Sequence, residues 1–220
     1  MRKTLKQRVT TGETLGEVER KDLIFDGRSS SPDVAHFLSV LALSGDTGFE
    51  PPVLWLDGSN SFDPYRVSEL SRSLGLDPGR VLEEIYISRA FTCYQMKSLI
   101  LNELEDAVER FGSGFTVITG LPELFSGSDL VEKEALRVFD PVIETLKSFR
   151  KSGPTLFLAS PTGGEENMFI TSLRSVSDHV LGPDQGESRA GNSSGDPSRI
   201  RRKNTGSGPP VGTRSLEEFG

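Results

Sequence analysis

The chain has little cysteine, little histidine and no long apolar run. One cysteine, Cys93, in 220 residues leaves no internal disulfide framework. The two histidines, His36 and His179, are far apart and give no metal-ligand spacing, so no structural zinc is expected. No apolar stretch approaches the roughly 18 residues of a membrane span. Met1-Arg2-Lys3 leads into polar residues instead of a signal-peptide core, so a cytoplasmic protein without membrane contact is expected. Basic charge is also short: 25 Lys and Arg against 32 Asp and Glu give a net charge of −7. Residues 1–22 and 186–220 each carry six basic and four acidic groups, which leaves −11 on the body between them. An acidic body repels phosphate, so DNA contact is expected only from the ends or from loops. A solvated acidic surface is the plainer alternative.

What is present suits a soluble α/β domain: 35% hydrophobic and 26% charged residues, in a length that allows one ordinary domain. Apolar runs of strand length alternate with helical periods. "DLIF" (22–25), "PPVLWLDGS" (51–59), "IYISRAF" (85–91), "GFTVITGL" (114–121) and "PTLFLAS" (154–160) read as strands. Between them, 31–45 reads as a helix with Ser31 as N-cap and Pro32 in its first turn, and 63–75 as a helix from Asp63 to Gly75. "LDPGRVLEE" makes a short helical turn. Residues 93–112 carry a one-sided stripe of Met96, Leu99, Ile100, Leu104, Ala107 and Val108, and 133–153 read as a long helix interrupted by Pro141. Strands separated by helices imply βαβ crossovers, hence a doubly wound, mostly parallel sheet in a single domain over 1–182. Residues 183–220 are rich in Gly, Ser and Pro and are expected to form a flexible basic segment; "HVLG" (179–182) just before it and "SRIRRKN" within it could pair as a late edge hairpin.

The stretch "VLWLDGSNSFDPYRVSELSRSLGLDPGRVLEEIYISRAFTCYQM", Val53 to Met96, resembles the ATPase core of the RecA/RadA recombinase superfamily, nearest to archaeal RadA. The likeness runs through Asp57, Asn60, Phe62, Pro64, Arg66, the Gly75-Leu76-Asp77-Pro78 run, Val81, Leu82, Ile85, Tyr86, Arg89, Ala90 and Phe91. It implies a RecA-like fold. The family's functional residues are not carried with it. Its phosphate-binding loop needs Gly-x-x-x-x-Gly-Lys-Ser/Thr, in which lysine neutralises phosphate charge and the hydroxyl holds magnesium. Here that loop falls on Gly27, Arg28, Ser29, Ser30, Ser31, Pro32 and Asp33, without a lysine in either register. Pro32 removes a backbone donor, and Asp33 brings a carboxylate to a helix start where phosphate would sit.

The family's catalytic glutamate falls on Ser59, its magnesium-organising aspartate on Thr119 (or on Gly120 in a register shifted by one), and its γ-phosphate-sensing glutamine has no counterpart in "LASPTGG". Each of these groups positions charge in phosphoryl transfer, and losing one alone typically costs several powers of ten. The resemblance therefore implies an inactivated paralogue, with no ATP or magnesium cofactor and no family-type ATPase activity expected. Its role would be accessory or regulatory in recombination and repair, binding a recombinase, another repair protein or DNA. The alternatives are a nucleotide-sensing module without hydrolysis, or a residual ATPase that borrows a neighbour's lysine.

Other candidates are weaker. The Ser-rich turn could bind an anion through its amides and Arg28, or be an ordinary strand-to-helix turn. Arg89 and Phe91 could hold a sheet edge or a DNA-facing loop, or simply pack a strand end. Arg199, Arg201, Arg202 and Lys203 could follow a nucleic-acid backbone. In "TRSLEEFG", Leu216 and Phe219 fit a sliding-clamp motif loosely, with Thr213 and Gly220 departing from it; a last core strand or a disordered end is the plainer alternative. Gly163, Gly164, Glu165 and Glu166 fall where the family has its second DNA-binding loop, but they form a short acidic loop that disfavours filament-type binding.

Overall fold

In a computed structural model, residues 21–45, 47–160 and 167–182 are described, all within one compact unit. Six strands form one sheet: β1 (Leu23–Asp26), β2 (Val53–Asp57), β3 (Ile85–Arg89), β4 (Phe115–Thr119), β5 (Thr155–Ala159) and β6 (His179–Leu181), in the order β3-β2-β4-β5-β1-β6. Every pairing is parallel, so the mostly parallel expectation sharpens to all-parallel among the described strands. The helices are α1 (Ser31–Ala42), α2 (Pro64–Ser73), α3 (Pro78–Glu83), α4 (Cys93–Ser98), α5 (Leu104–Phe111), α6 (Leu121–Ser126), α7 (Glu132–Ser152) and α8 (Met168–Val176), with a π-helical turn, Leu99–Glu103, between α4 and α5. The arrangement is a single α/β domain consistent with a RecA-like fold. None of the described helices is long and apolar enough to cross a membrane.

Strand alternation feeds two cores. Val53 and Trp55, Val117, and Phe157 face α1, α2 and α3, while Leu54 and Leu56, Ile118, Leu156 and Leu158 face α4 to α8. β1, β2, β4 and β5 are buried along their whole length, which is why they read as continuous apolar runs. β3 differs: only Ile85 is buried, and Tyr86, Ile87, Ser88 and Arg89 are exposed at the sheet's edge.

Three local expectations are corrected. The N-cap of α1 is Ser30, not Ser31, and it makes no side-chain cap bond because its backbone is already in the right-handed helical region. Pro141 does not interrupt α7, which runs unbroken through it. Proline removes a single donor, and the buried Val138, Phe139, Val142, Ile143 and Leu146 on either side hold the helix to the sheet. The stripe at 93–112 is not one α-helix, because the π turn inserts a wider loop of backbone in its middle.

Candidate functional site

Ligands of open parallel sheets bind outside the carboxyl ends of the strands. Here the residues at those ends are engaged with one another. At the end of β1, Asp26 is fully buried and Arg28 almost so. The Arg28 guanidinium turns inward on Asp26, with Nε donating to Oδ1 at 2.9 Å and Nη2 to Oδ2 at 2.8 Å, while the Arg28 amide also donates to Oδ1 at 3.0 Å. Its charge is thus met by a carboxylate from its own strand. The turn's amides are used in the same way: Gly27 N–H donates to the Leu181 carbonyl and Ser31 N–H to the Arg28 carbonyl. With Arg28 N–H, three amides of the turn donate inside the protein, and Pro32 has none to offer. Asp33 is exposed and pairs with Arg66 of α2 at 3.1 Å. The hydroxyls of Ser30 and Ser31 are buried without a hydrogen-bond partner.

The end of β2 is closed by a second buried carboxylate. Asp57 accepts from the amides of Ser61 at 2.9 Å and Phe62 at 3.2 Å and from the Thr119 hydroxyl at 2.9 Å, with Arg89 Nε at 3.8 Å. Thr119 therefore binds the neighbouring strand's carboxylate, and the Ser59 hydroxyl donates to Ser61 at 2.9 Å. The strands approach so closely here that a Cβ on Gly120, whose φ is +69°, would lie 2.6 Å from the Ser59 nitrogen. His36 of α1 ties this loop to the adjacent helix: Nδ1 lies 2.6 Å from the Pro32 carbonyl and Nε2 2.9 Å from the Asp63 amide. An amide can only donate, so Nε2 is unprotonated and Nδ1 carries the proton. Burial beside Trp55 and Phe62 pushes the imidazole below its ordinary pKa, against smaller raising effects from the Pro32 carbonyl, Asp33 and Asp63.

A concave feature also lies along the sheet edge. A groove of about 280 Å³ is walled by Leu54 and Leu56 of β2, Tyr86, Ile87 and Ser88 of β3, and Leu99, Glu103, Leu104, Ala107 and Phe111 across from them. Tyr86 and Phe111 meet edge to face at 4.8 Å, and the Arg110 guanidinium lies 5.2 Å above the Phe111 ring. The π turn forms part of the wall, a placement typical of π-bulges at functional sites. No described strand pairs with the outer edge of β3.

The Rad51 family model matches residues 18–118. That match covers just under half of the chain and supports membership of the RecA/RadA superfamily. It takes in the β1–α1 turn, the Asp57 loop and both walls of the groove.

Of the sequence candidates, Gly27 to Asp33 come together as one turn, and Ser59 and Thr119 come together around Asp57. Arg89 lies beside Asp57, whereas Phe91 is 70% exposed and is not packing for a strand end. Gly163, Gly164, Glu165, Glu166, Arg199, Arg201, Arg202, Lys203, Leu216 and Phe219 lie outside the described residues, as does the 183–220 segment. Among the described residues no group of three His, Cys, Asp or Glu is arranged to hold a metal ion. Sequence reasoning missed the groove. The only signal for it was an apolar "IYI" whose burial could not be read without knowing that it forms an edge.

Proposed function

We propose that this chain is a non-catalytic RecA/RadA-like factor that acts in recombination and repair by binding a partner protein along the β3 edge. The observation that carries the reading is the state of the β1–α1 turn: its arginine is neutralised by Asp26 and three of its amides are committed internally. A nucleotide polyphosphate needs free amides and an unmatched cation at this place, so the turn does not fit MgATP. The groove, by contrast, is largely apolar, open and bounded by a strand whose outer edge pairs with no described strand. At about 280 Å³ it is small for a drug-sized ligand, whose pockets start at roughly 300 Å³, and suits one or two side chains of an extended segment added to the sheet.

The Rad51 match supports a recombination-related role, and a recombinase is the first partner to try. The experiment is capture of the host's recombinase by the full chain, compared with Ser88→Trp, which fills the groove from an exposed position. Capture by the parent and loss in the variant are expected. Equal capture by both would place docking elsewhere, with the basic group Arg199 to Lys203 the next candidate for contact with DNA. A second reading, nucleotide sensing without hydrolysis, draws on the unpartnered hydroxyls of Ser30 and Ser31. Thermal shift separates the two: a nucleotide bound at a hundred times its dissociation constant stabilises by about 2.7 kcal/mol. No shift with ATP, ADP and magnesium is expected.

A further inference from the structure

We propose that His36 works as a proton-operated latch: neutral, its ring pins the loop between β2 and α2 (residues 58–63) to α1, and protonated, it releases that loop while the sheet stays folded. The ring bridges a carbonyl and an amide. Nδ1 donates to the Pro32 carbonyl one turn back on α1, and Nε2 accepts the Asp63 amide, 27 positions away at the start of α2. A proton on Nε2 would face an N–H group that can only donate, so the imidazolium and the Asp63 bond exclude each other. The charged groups facing the ring are Asp33 on its own helix and Asp63 and Arg66 of α2. β2 and the loop present Trp55 and Phe62, which carry no charge. Both carboxylates are already engaged, Asp63 in capping α2 and Asp33 with Arg66, so neither waits to receive the proton-bearing ring.

The loop is otherwise lightly held. Its Gly58 amide donates to the Thr119 carbonyl, its Ser61 and Phe62 amides donate to the Asp57 carboxylate, and the Phe62 ring packs 5.7 Å from His36 and 5.1 Å from Trp55. None of its residues is fully buried, and Asn60 is kept at a φ of +52°, in the left-handed region where a side chain is strained. Downstream, α2 has its own anchors in the buried Val67 and Ser71. Losing the His36 bond therefore loosens a short, strained, half-exposed segment without unpacking a strand, a local opening that costs less than global unfolding. Opening takes two amides from the Asp57 carboxylate and leaves the Arg89 guanidinium, 3.8 Å away, to close on it. Acid thus rearranges the charges at the carboxyl end of β2.

Amide hydrogen exchange on the intact protein, followed by NMR and expressed as protection factors, tests the latch. Burial holds the ring's pKa in the closed loop below the value of about 6.5 that it regains in the open one. Between those two values only the open form takes up the proton, so protection of the Ser61, Phe62 and Asp63 amides should fall by about tenfold per pH unit. Protection of Val117 and Phe157, inside the sheet, should hold over the same range. His36→Gln, whose side-chain carbonyl can accept the Asp63 amide without titrating, should show no such fall. If that variant does not fold, the parent decides: its His36 nitrogen-15 shifts should pass from the Nδ1–H tautomer to imidazolium over the pH range in which the three amides lose protection. The latch is wrong if the ring titrates while those amides stay protected, if they lose protection only together with the sheet, or if His36→Gln loses it with pH as the parent does.

Discussion

The carboxyl end of the sheet and the β3 edge hold different residues in opposite states. At the carboxyl end, charged groups are buried and matched: Arg28 against Asp26, and Asp57 against two amides and a threonine hydroxyl. At the edge, apolar groups are exposed and unmatched: Tyr86 and Ile87 are each about 40% open, and β3 has no outer neighbour among the described strands. A buried matched charge serves the fold, because removing one partner strands the other away from water. An exposed apolar strand edge is a pairing surface that, on the proposed reading, a partner covers. The carboxyl end of the described sheet is thus held by internal hydrogen bonds, while the outer edge of β3 pairs with no described strand.

The comparison breaks most visibly at Asp26. Asp26→Ala leaves the Arg28 guanidinium buried without its carboxylate, and a loss of about 3–5 kcal/mol is expected. Chemical denaturation monitored through the single Trp55 measures it. A loss under about 1 kcal/mol would mean that Arg28 swings out to solvent, and the turn would then have a cation to offer an anion after all.

Asp57→Ala should cost somewhat less, about 2–3 kcal/mol, since it orphans the Ser61 and Phe62 amides and the Thr119 hydroxyl at the sheet's end without stranding a fully buried charge. The residues show what a sequence can and cannot carry here. β2 and β4 were legible because strands buried on both faces must be apolar throughout, and "VLWLD" and "FTVIT" admit few other readings. That Ser59 and Thr119 carry no charge was equally legible, since it needs only the identity of a residue. What those residues bind was not. Thr119 meets Asp57 across 62 positions of sequence, and Arg28, which from sequence could contact an anion or sit in an ordinary turn, has its charge matched by Asp26 two residues back. The groove was hidden for a related reason. Its wall depends on β3 lying at an edge and on a π turn that shifts the register of a stripe from Met96 to Val108 read as one helix.

A smaller effect is expected from pH. The His36 imidazole is held neutral by burial, with Nε2 accepting the Asp63 amide, so its folded pKa lies below the unfolded value of about 6.5. Between those two values the unfolded chain binds more protons, and stability rises with pH. The contribution is complete above about pH 6.5 and is lost as the pH falls through the folded pKa, at no more than about 1.4 kcal/mol per pH unit. Subtracting the pH profile of His36→Gln from that of the parent isolates it. A difference that is flat between pH 4 and 7 would show that the Asp63 amide does not depend on a bare Nε2.

The smallest effect on stability should come from the edge, and it is the informative control. Ser88 is exposed on β3 and lines the groove, so Ser88→Trp is expected to change stability by no more than about 0.5 kcal/mol, as for other surface positions free of caps and buried bonds. If it instead destabilises as strongly as Asp57→Ala, the groove is already part of the packed core and the contrast between the two regions disappears. If stability is unchanged while recombinase capture is lost, the two regions are separable: one closes the domain and the other connects it to a partner. That outcome requires the groove to be open in the isolated chain, because a tryptophan placed in filled space would cost about 1–3 kcal/mol through overpacking before any partner was added.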